Sequence, residues 1–411
     1  MSHYKPYPAY KDSGVEWLGQ VPEHWTIGPY KATIQIENGS DYKEVESDDG
    51  YPVIGSGGPF AYSSKRMYDG ESVLLGRKGT IDKPLYVNGA FWAVDTMYWS
   101  IIKPGAHGRF AYYIATTIPF DMYSTNTALP SMTKSVLGSH LVAFPGFEEQ
   151  QVIANHLDRE TARIDALVAK KTRFIELLRE KRQALITHAV TKGLDPNVTM
   201  KDSGVEWLGE VPEHWDVLSF QRCVFIAEGQ VDPEKSPYRE MILLAPNHIE
   251  SGSGLLLHTE TAEEQSAESG KYLCEKGDVV YSKIRPALRK VCMAPEVSLC
   301  SADMYPMRGH SGMSNQFLFW FLLSEPFSAF AVLEADRVAM PKINRESLNS
   351  VQLPRPPFSE QLEIVARLSQ ATTRLDNLRV RTERSVELLK ERRSALITAA
   401  VTGQIDLRET A

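Results

Sequence analysis

Several short stretches contain residue types that carry out chemistry, but each departs from the spacing that its chemistry requires. The stretch GSGGPF at 55–60 lacks the GxGxxG spacing of a cofactor loop, and GESVLLGRKGT at 70–80 lacks the Gly-Lys-Ser/Thr of a P-loop. RPPF at 355–358 has the form of the motif of amino-methylating DNA methyltransferases. However, Arg355 has only donors and cannot accept a hydrogen bond from an amino group. The sequence therefore predicts that this chain performs no covalent chemistry by itself.

Histidines and cysteines also lack the spacing of metal ligands. The histidines form no HExxH pattern, and no GxSxG nucleophile turn is present. The cysteines form no CxxC pair; they are Cys223, Cys274, Cys292 and Cys300. We expect neither a metal site nor a disulfide framework, and a reducing cytoplasm fits this usage best.

Basic residues close to glycine loops are the remaining candidates for a binding role. The clusters GRKGT and SKIRPALRK follow equivalent predicted strands, Val73–Leu75 and Val279–Tyr281. Glycine lets a backbone approach closely, Arg and Lys hold phosphate or read guanine, and Asn reads adenine. For any single residue, a solvated surface charge is the alternative. The candidate DNA-binding residues are Ser56, Gly57, Arg77, Lys78, Thr80, Thr133, Lys134, Ser282, Lys283, Arg285, Arg289, Lys290, Lys342, Asn344 and Arg345.

These candidates are carried by two repeated halves. KDSGVEWLGQVPEHW at 11–25 returns as KDSGVEWLGEVPEHW at 201–215, and Pro145–Asp195 matches Pro356–Asp406 without a gap. The sequences between these repeats share little. Each half therefore consists of a constant 15-mer, a variable module and a constant helix, and a repeat of this length indicates a duplicated domain. Duplicated halves tend to pack with pseudo-twofold symmetry.

The repeats divide the chain into segments. We predict an N-terminal segment with the first 15-mer (1–25), module 1 (26–144), a central helix segment (145–200), the second 15-mer (201–215), module 2 (216–355) and a C-terminal helix segment (356–411). Both modules contain short β-type runs with turns, and short helices are predicted at 108–118 and 313–334. The fold class is therefore α+β, with a small twisted sheet in each module.

The constant segments carry a narrow apolar stripe with the spacing of a two-helix coiled coil. A single helix lying on its own domain is the alternative, but the stripe is too narrow for a helix buried in a core. With duplicated halves, an antiparallel pair is expected. The predicted stripe consists of Leu157, Ile164, Leu167, Phe174, Leu178, Leu185, Leu368, Leu375, Leu378, Leu389 and Leu396.

The 15-mers contain glycine, proline and tryptophan, so they predict turns anchored by aromatic side chains. One interpretation is that each 15-mer seals a module onto the helices. The other is a docking surface that is used twice because the partner comes in two copies.

Composition restricts the class of protein. The 411 residues are too many for one ordinary core, and no run of about 18 apolar residues predicts a membrane span. The net charge of −7 argues mildly against a free-standing nucleic-acid binder. A DNA-binding function would need local positive charge or a partner that supplies it.

The order of these segments resembles the DNA specificity subunit of type I restriction-modification systems. The resemblance rests on KxSGVEWLGxVPxHW, on the FxEQ-xI pattern at Phe147–Ile153 and Phe358–Ile364, and on the helix ends with LLxExRxALIT. It covers essentially the whole chain, twice. It implies that modules 1 and 2 are target recognition domains for the two halves of a split, asymmetric DNA site, and that the paired helices fix the gap.

The resemblance also implies the partners and cofactors. The subunit itself is non-catalytic and has no cofactor. It joins double-stranded DNA to two modification subunits, which use S-adenosylmethionine to methylate adenine, and to restriction subunits, which use ATP and Mg²⁺. No membrane is involved. A stand-alone methyltransferase or nuclease, and a coiled-coil adaptor without a DNA role, are the competing hypotheses.

Overall fold

The computed structural model describes residues 4–123, 131–335 and 341–408. The chain forms two compact units. Unit 1 combines the residues up to Thr172 with those from Arg384 onward, and unit 2 is Arg173–Glu383. Each unit therefore contains the beginning of one long helix and the end of the other.

Unit 1 is built on a seven-stranded sheet of order β4-β10-β8-β9-β6-β7-β5, in which only the β6–β9 pair is parallel. Its helices are α1 Gly108–Ala115, α2 Phe120–Tyr123, α3 Lys134–Ser139 and α4 Phe147–Lys192, which continues into unit 2. Its strands are β1 Tyr10–Asp12, β2 Gln20–Pro22, β3 Thr26–Pro29, β4 Ile34–Asn38, β5 Glu46–Ser47, β6 Tyr51–Gly55, β7 Gly58–Ser63, β8 Tyr68–Gly76, β9 Leu85–Ala93, β10 Met97–Ile102 and β11 Leu141–Phe144.

Unit 2 has two four-stranded sheets instead, of orders β15-β22-β19-β20 and β16-β18-β21-β17. Its helices are α5 Asn315–Leu322, α6 Glu325–Ala335, α7 Arg345–Ser350 and α8 Phe358–Val401, which continues into unit 1. Its strands are β12 Met200–Asp202, β13 Glu210–Pro212, β14 Asp216–Ser219, β15 Val224–Ile226, β16 Gln230–Val231, β17 Leu243–Leu244, β18 Lys271–Cys274, β19 Val279–Ser282, β20 Val291–Met293, β21 Ser298–Cys300, β22 Met304–Gly309 and β23 Gln352–Arg355.

The ends of each variable module meet in a strand pair. Strand β3 pairs with β11 in unit 1, and β14 pairs with β23 in unit 2. The predicted module borders lie in these strands, and the division of the chain into functional domains stays a prediction. The helix predicted at 313–334 is two helices, because the chain breaks between α5 and α6.

Each 15-mer forms a short hairpin, β1–β2 or β12–β13, that ends in a buried tryptophan. Trp25 Nε1 donates to Glu149 Oε1 over 3.2 Å, and Trp215 Nε1 donates to Glu360 Oε2 over 3.1 Å. Both carboxylates lie in the first turn of a long helix, where the helix dipole favours negative charge. These contacts support the sealing interpretation in each unit.

The next residue of each long helix binds its module from the inside. Gln150 accepts a hydrogen bond from His107 N over 2.9 Å, at the start of α1. Gln361 accepts one from Ser314 N over 2.8 Å, at the start of α5. Both glutamines are buried, so these bonds are shielded from water and fix the first module helix on the long helix.

Only part of the predicted apolar stripe is buried. Leu157, Ile164, Leu178, Leu368 and Leu396 are buried, and Leu375 and Leu389 are half-buried. The prediction is wrong for the remaining four members of the stripe. Their side chains are 37% to 42% exposed and do not line the seam; these residues are Leu167, Phe174, Leu185 and Leu378.

The covered position at each of these four places is the next residue along the helix. Ile175 and Ile186 are buried, and Val168 and Arg379 are half-buried. The seam also contains a buried polar side chain, Thr161. Its hydroxyl can be buried at little cost because it donates to the carbonyl of Leu157, one turn earlier, over 2.6 Å. The predicted stripe is therefore misplaced by one residue at these four points.

Within each unit the two helix segments run antiparallel. In unit 2, Arg182 lies 3.2 Å from Asp376 and Arg179 lies 3.3 Å from Glu383. In unit 1, Asp165 lies 2.9 Å from Arg393. Asp165–Arg393 and Asp376–Arg182 are equivalent pairs under the repeat, so each unit contains the same helix contact with the two helices exchanged.

Among the described residues, no single helix is long and apolar enough to cross a membrane. Helices α5 and α6 pass that test only when taken together, and they are bent by 64°.

Candidate nucleic-acid interface

In unit 1 the predicted basic cluster forms a tight loop after β8. A side chain on Gly76 would lie 2.4 Å from the carbonyl oxygen of Thr80, so the loop can fold back only with glycine here. The backbone N–H groups of Arg77 and Lys78 both donate to Thr96 O, over 2.9 and 3.3 Å. The loop is therefore held firmly against the turn between β9 and β10.

The Arg77 side chain lies on an aromatic ring. Its guanidinium carbon is 5.9 Å from the centre of the Tyr98 ring, and Nη1 donates to Asp95 O over 3.2 Å. The Tyr98 hydroxyl in turn donates to Met132 O over 3.0 Å. A guanidinium supported in this way keeps donors free for a ligand, and it loses little entropy on binding.

The segment before α3 completes this surface. Met132 N donates to Arg77 O over 3.1 Å, so the segment lies beside the loop. Thr133 caps α3 by accepting from Val136 N over 3.3 Å. Lys134 Nζ donates to Ile36 O over 3.3 Å. The predicted residues Arg77, Thr133 and Lys134 are thus brought together.

Unit 2 repeats this construction with different side chains. Ile343 N donates to Lys283 O over 2.9 Å, as Met132 does to Arg77 in unit 1. Lys283 Nζ lies 5.3 Å from the centre of the Tyr305 ring. Asn344 caps α7 by accepting from Ser347 N over 2.7 Å, as Thr133 caps α3. Arg77 and Lys283 therefore occupy equivalent positions.

Arg345 takes the place of Lys134 in unit 2. Its guanidinium donates to Ile226 O over 3.1 Å, which is the counterpart of the Lys134 bond to Ile36. It also lies 4.9 Å from the ring centre of Tyr305. Burial raises the pKa of the Tyr305 hydroxyl, and the charge of Arg345 opposes that shift. Tyr305 therefore stays a neutral platform between two cations.

Three predicted cations remain free for a ligand. The side chains of Lys78, Arg285 and Lys342 are exposed, and within the described residues they make no hydrogen bond or ion pair. Arg285 has a φ of +48°, a left-handed conformation that is costly for arginine and often marks functional loops. Thr80 is also exposed. Free cations beside supported ones suit a phosphate backbone.

In unit 1, Ser56 and Gly57 lie close to the loop that carries Arg77. They form the turn between β6 and β7, and they line a cleft together with Phe60 and Thr96. Thr96 is the residue whose carbonyl holds the Arg77 loop. The glycine-rich turn is therefore next to the basic loop.

Three predicted residues of unit 2 point into the protein instead. Ser282 is buried and donates to Ile284 O over 3.1 Å. Lys290 Nζ donates to Pro246 O over 2.6 Å. Arg289 donates to Ser328 Oγ over 2.8 Å and is paired with a glutamate of α6. A contact of these side chains with DNA would require those bonds to break.

The tyrosines under the cations were missed by sequence reasoning. Tyr98 and Tyr305 each follow a methionine at the start of an inner strand, β10 or β22. The shared Met-Tyr pair in DTMYWS and SADMYPM was a usable signal, but only pairing of β10 with β8 and of β22 with β19 brings these rings to the basic loops.

A known protein family matches both halves of the chain. The family described as the type I restriction modification DNA specificity domain matches residues 22–177 and again residues 232–387. One match falls in each repeated half, and together they cover more than half of the chain. The chain belongs to this family.

Relatives match over nearly the full length. The specificity subunit of the type I restriction enzyme EcoDI from Escherichia coli is 27% identical over 406 residues, which are 94% of this chain and 90% of that protein. The EcoBI specificity subunit from Escherichia coli is 21% identical over 426 residues, which are 96% of this chain and 89% of that protein.

Solved structures show the same fold. A chain from a study of complex assembly and conformational transition of the type I R-M system has a TM-score of 0.70 at 15% identity, over 94% of this chain and 99% of that chain. The HsdS subunit from Thermoanaerobacter tengcongensis has a TM-score of 0.51 at 14% identity, over 94% and 98%. The predicted α+β fold with internal duplication is confirmed.

The family membership establishes the function in outline. The matched domain is a DNA specificity domain, and the relatives are named specificity subunits. The chain is therefore a non-catalytic specificity subunit of a type I restriction-modification system, and its function is DNA sequence recognition. This confirms the family prediction and the prediction that the chain is not itself an enzyme.

Proposed function

We propose that modules 1 and 2 each read one half of a split, asymmetric DNA site. One observation carries this proposal: Arg77 and Lys283 occupy equivalent loop positions over equivalent tyrosines, but they stand on sheets of different construction. Equivalent positions suit the same kind of ligand, and different surroundings suit different base sequences.

The side chains divide into two roles. Arg77 and Lys283 are supported by rings, so they suit the base edges, where Arg and Lys donate to guanine O6 and N7. The side chains of Lys78, Arg285 and Lys342 are exposed and have no partner among the residues that the structure describes, so they suit phosphates. The phosphate contacts fix the register of each module, and the base contacts select the sequence.

The long helices set the gap between the two half-sites in this proposal. Helices α4 and α8 have 46 and 44 residues, so each is about 65–70 Å long. A regular helix does not change its length with the DNA that is bound. A fixed separation of the two reading modules would therefore select a fixed number of unread base pairs.

The frame, which we define as the 15-mers and the long helices, docks two modification subunits and, through them, restriction subunits. Phe147 and Phe358 open the two helices at equivalent positions, and their exposed fractions are 47% and 54%. An exposed aromatic residue that is repeated in this way suits a partner present in two copies. S-adenosylmethionine, ATP and Mg²⁺ would be bound by those partners, and their positive surfaces would offset the net charge of −7.

The test uses the chain in complex with its modification subunits, with methylated adenines mapped on genomic DNA. We expect Arg77→Ala to relax one half-site and Lys283→Ala to relax the other. Each loss should be about 10- to 100-fold, because a good base contact contributes about 1–3 kcal/mol. Arg163→Ala, on the exposed side of α4, is the control and should leave the methylated sequence unchanged.

Two outcomes would count against this assignment. If both variants weaken methylation equally on all sequences, Arg77 and Lys283 bind phosphate rather than bases. If either variant alters both half-sites, the modules do not read separate halves.

A further inference from the structure

Three side chains that suit a metal ion meet in unit 2, outside the basic loops. They are His248, His258 and Glu260, and one ligand atom of each lies within 4.8 Å of the other two. Nine residues separate the two histidines, a spacing that matches no metal motif, so only the fold brings them together. Two imidazoles and a carboxylate form a common ligand set for zinc.

The backbone holds these residues in place on a hairpin. Leu257 N donates to His248 O over 2.7 Å, so His248 and His258 lie on facing arms of the hairpin. Glu260 is fixed because its carbonyl accepts from Leu243 N of strand β17 over 2.9 Å. The three side chains are therefore brought together by the fold and do not depend on an ion for their approach.

His248 is poorly satisfied for a buried imidazole. Its side chain is fully buried, and in the described structure neither ring nitrogen makes a hydrogen bond of good geometry. The polar groups near the ring are the backbone of Leu243 and the carboxylate of Glu260, whose Oε2 lies 3.5 Å from Nε2, too far for a good bond. A buried polar group with only weak contacts is costly, so His248 can accept a stronger ligand.

The cluster is open to solvent on one side, because Glu260 is only half-buried. His258 is exposed, so an ion can enter from solvent.

We propose that His248, His258 and Glu260 bind one divalent transition-metal ion of the zinc class. The two imidazole nitrogens and the carboxylate would supply three ligands of a tetrahedral site, and water would supply the fourth. The buried nitrogen of His248 would gain a stronger partner than its present weak contacts.

The ion would stiffen a hairpin that already rests on the long helices. Arg182 donates to Gly252 O over 3.0 Å and to Ser253 O over 2.7 Å, at the tip of that hairpin. Arg379 lies 3.2 Å from Glu250 on the same segment. The arginines hold the tip and the metal would hold the base, so binding would rigidify module 2 against the helices of unit 2.

The test uses the full chain without an affinity tag, after treatment with a chelator. Zn²⁺ is titrated by calorimetry, and we expect one equivalent to bind and to raise the Tm. His258→Ala and Glu260→Gln should each weaken the affinity at least 10-fold. His188→Ala removes an exposed histidine of α4 and should change the affinity less than twofold. Both cluster residues tested are outside the core, so their variants should fold.

Substitution with Co²⁺ gives a second readout. Tetrahedral coordination produces intense visible absorption bands, which should appear with one equivalent of Co²⁺ and vanish in His258→Ala. The proposal is overturned if the chain binds no stoichiometric Zn²⁺, if the cluster variants bind it as well as the parent chain, or if His188→Ala weakens it as much. Neither readout involves DNA, so both are independent of the recognition assay.

Discussion

The two units share the same frame but contain different modules. The contacts of the frame are repeated almost atom for atom: His24 lies 2.9 Å from Glu149, and His214 lies 2.8 Å from Glu360. The modules differ, because a seven-stranded sheet in unit 1 corresponds to two four-stranded sheets in unit 2. The frame is thus constant where the sequence repeats, and the module changes where it does not.

Around the basic loops, by contrast, the two modules keep the same local backbone bonds and differ in their side chains. Arg77 corresponds to Lys283, and Lys134 corresponds to Arg345, while the backbone bonds around them are preserved. Arg and Lys differ in donor geometry. In the proposed function, such exchanges would let the sequence preference vary while the frame stays unchanged.

The largest expected effect is a loss of stability when the buried tryptophan of either frame is removed, and it should be equal in the two units. Trp25→Ala and Trp215→Ala each remove a fully buried indole, so each should lower the free energy of unfolding by about 3–5 kcal/mol. Urea denaturation with hydrogen exchange measures and localises the loss. The Phe variants keep a six-membered ring but lose the rest of the indole and its bond to glutamate, and they should cost clearly less than the Ala variants. Clearly unequal losses would break the equivalence of the two frames.

The next largest effect concerns two equivalent arginines, Arg182 and Arg393, that have different surroundings. Arg182 has a side chain that is 10% exposed and binds Asp376 and two hairpin carbonyls, so Arg182→Ala should cost about 3 kcal/mol. Its counterpart Arg393 is 31% exposed and pairs with Asp165, so Arg393→Ala should cost less than about 1 kcal/mol. Thermal and urea unfolding of both variants measures this difference. Similar losses would show that the hairpin contributes little.

A third effect is specific to unit 1 and depends on pH. Burial lowers the pKa of His140 to about 4, whereas its counterpart in unit 2 is Val351. Between the unfolded value near 6.5 and pH 4, the unfolded chain takes up a proton that the folded chain does not. The stability present above pH 6.5 is therefore lost as the pH falls, by at most about 3 kcal/mol.

The variant His140→Val makes unit 1 resemble unit 2 at this position. Its free energy of unfolding, measured by urea titration from pH 7 to pH 4, should fall less steeply than that of the parent chain. Parallel curves for the two proteins would mean that His140 does not titrate as its burial indicates.

Local pattern was enough to predict much of this molecule. The repeat aligned Thr133 with Asn344 and Lys134 with Arg345, and these residues do occupy equivalent positions. Glycines in the 15-mers predicted turns, and Gly14 has a φ of +68°, as a tight turn requires. Helix caps and tight turns depend on residues that are close together in the sequence, so their residue types are enough to predict them.

Contacts between distant segments could not be predicted in this way. Tyr98 supports Arg77 only because β10 pairs with β8, and Arg289 reaches Ser328 only because α6 packs nearby. The helix seam was misplaced at points such as Phe174 and Leu185, because packing of the two helix segments covers the next residues, Ile175 and Ile186, instead. Each of these outcomes depends on packing of segments that are far apart in the sequence.

One measurement tests most directly whether the frame determines spacing and the modules determine sequence. Seven residues are inserted into each long helix at equivalent places, by duplicating 164–170 after Lys170 and 375–381 after Arg381, so that the seam keeps its register. Each insertion adds about 10 Å of helix, which corresponds to about three base pairs. Mapping of methylated adenines should then show both half-sites unchanged and a gap longer by about three base pairs. An unchanged gap, or altered half-sites, would contradict the account.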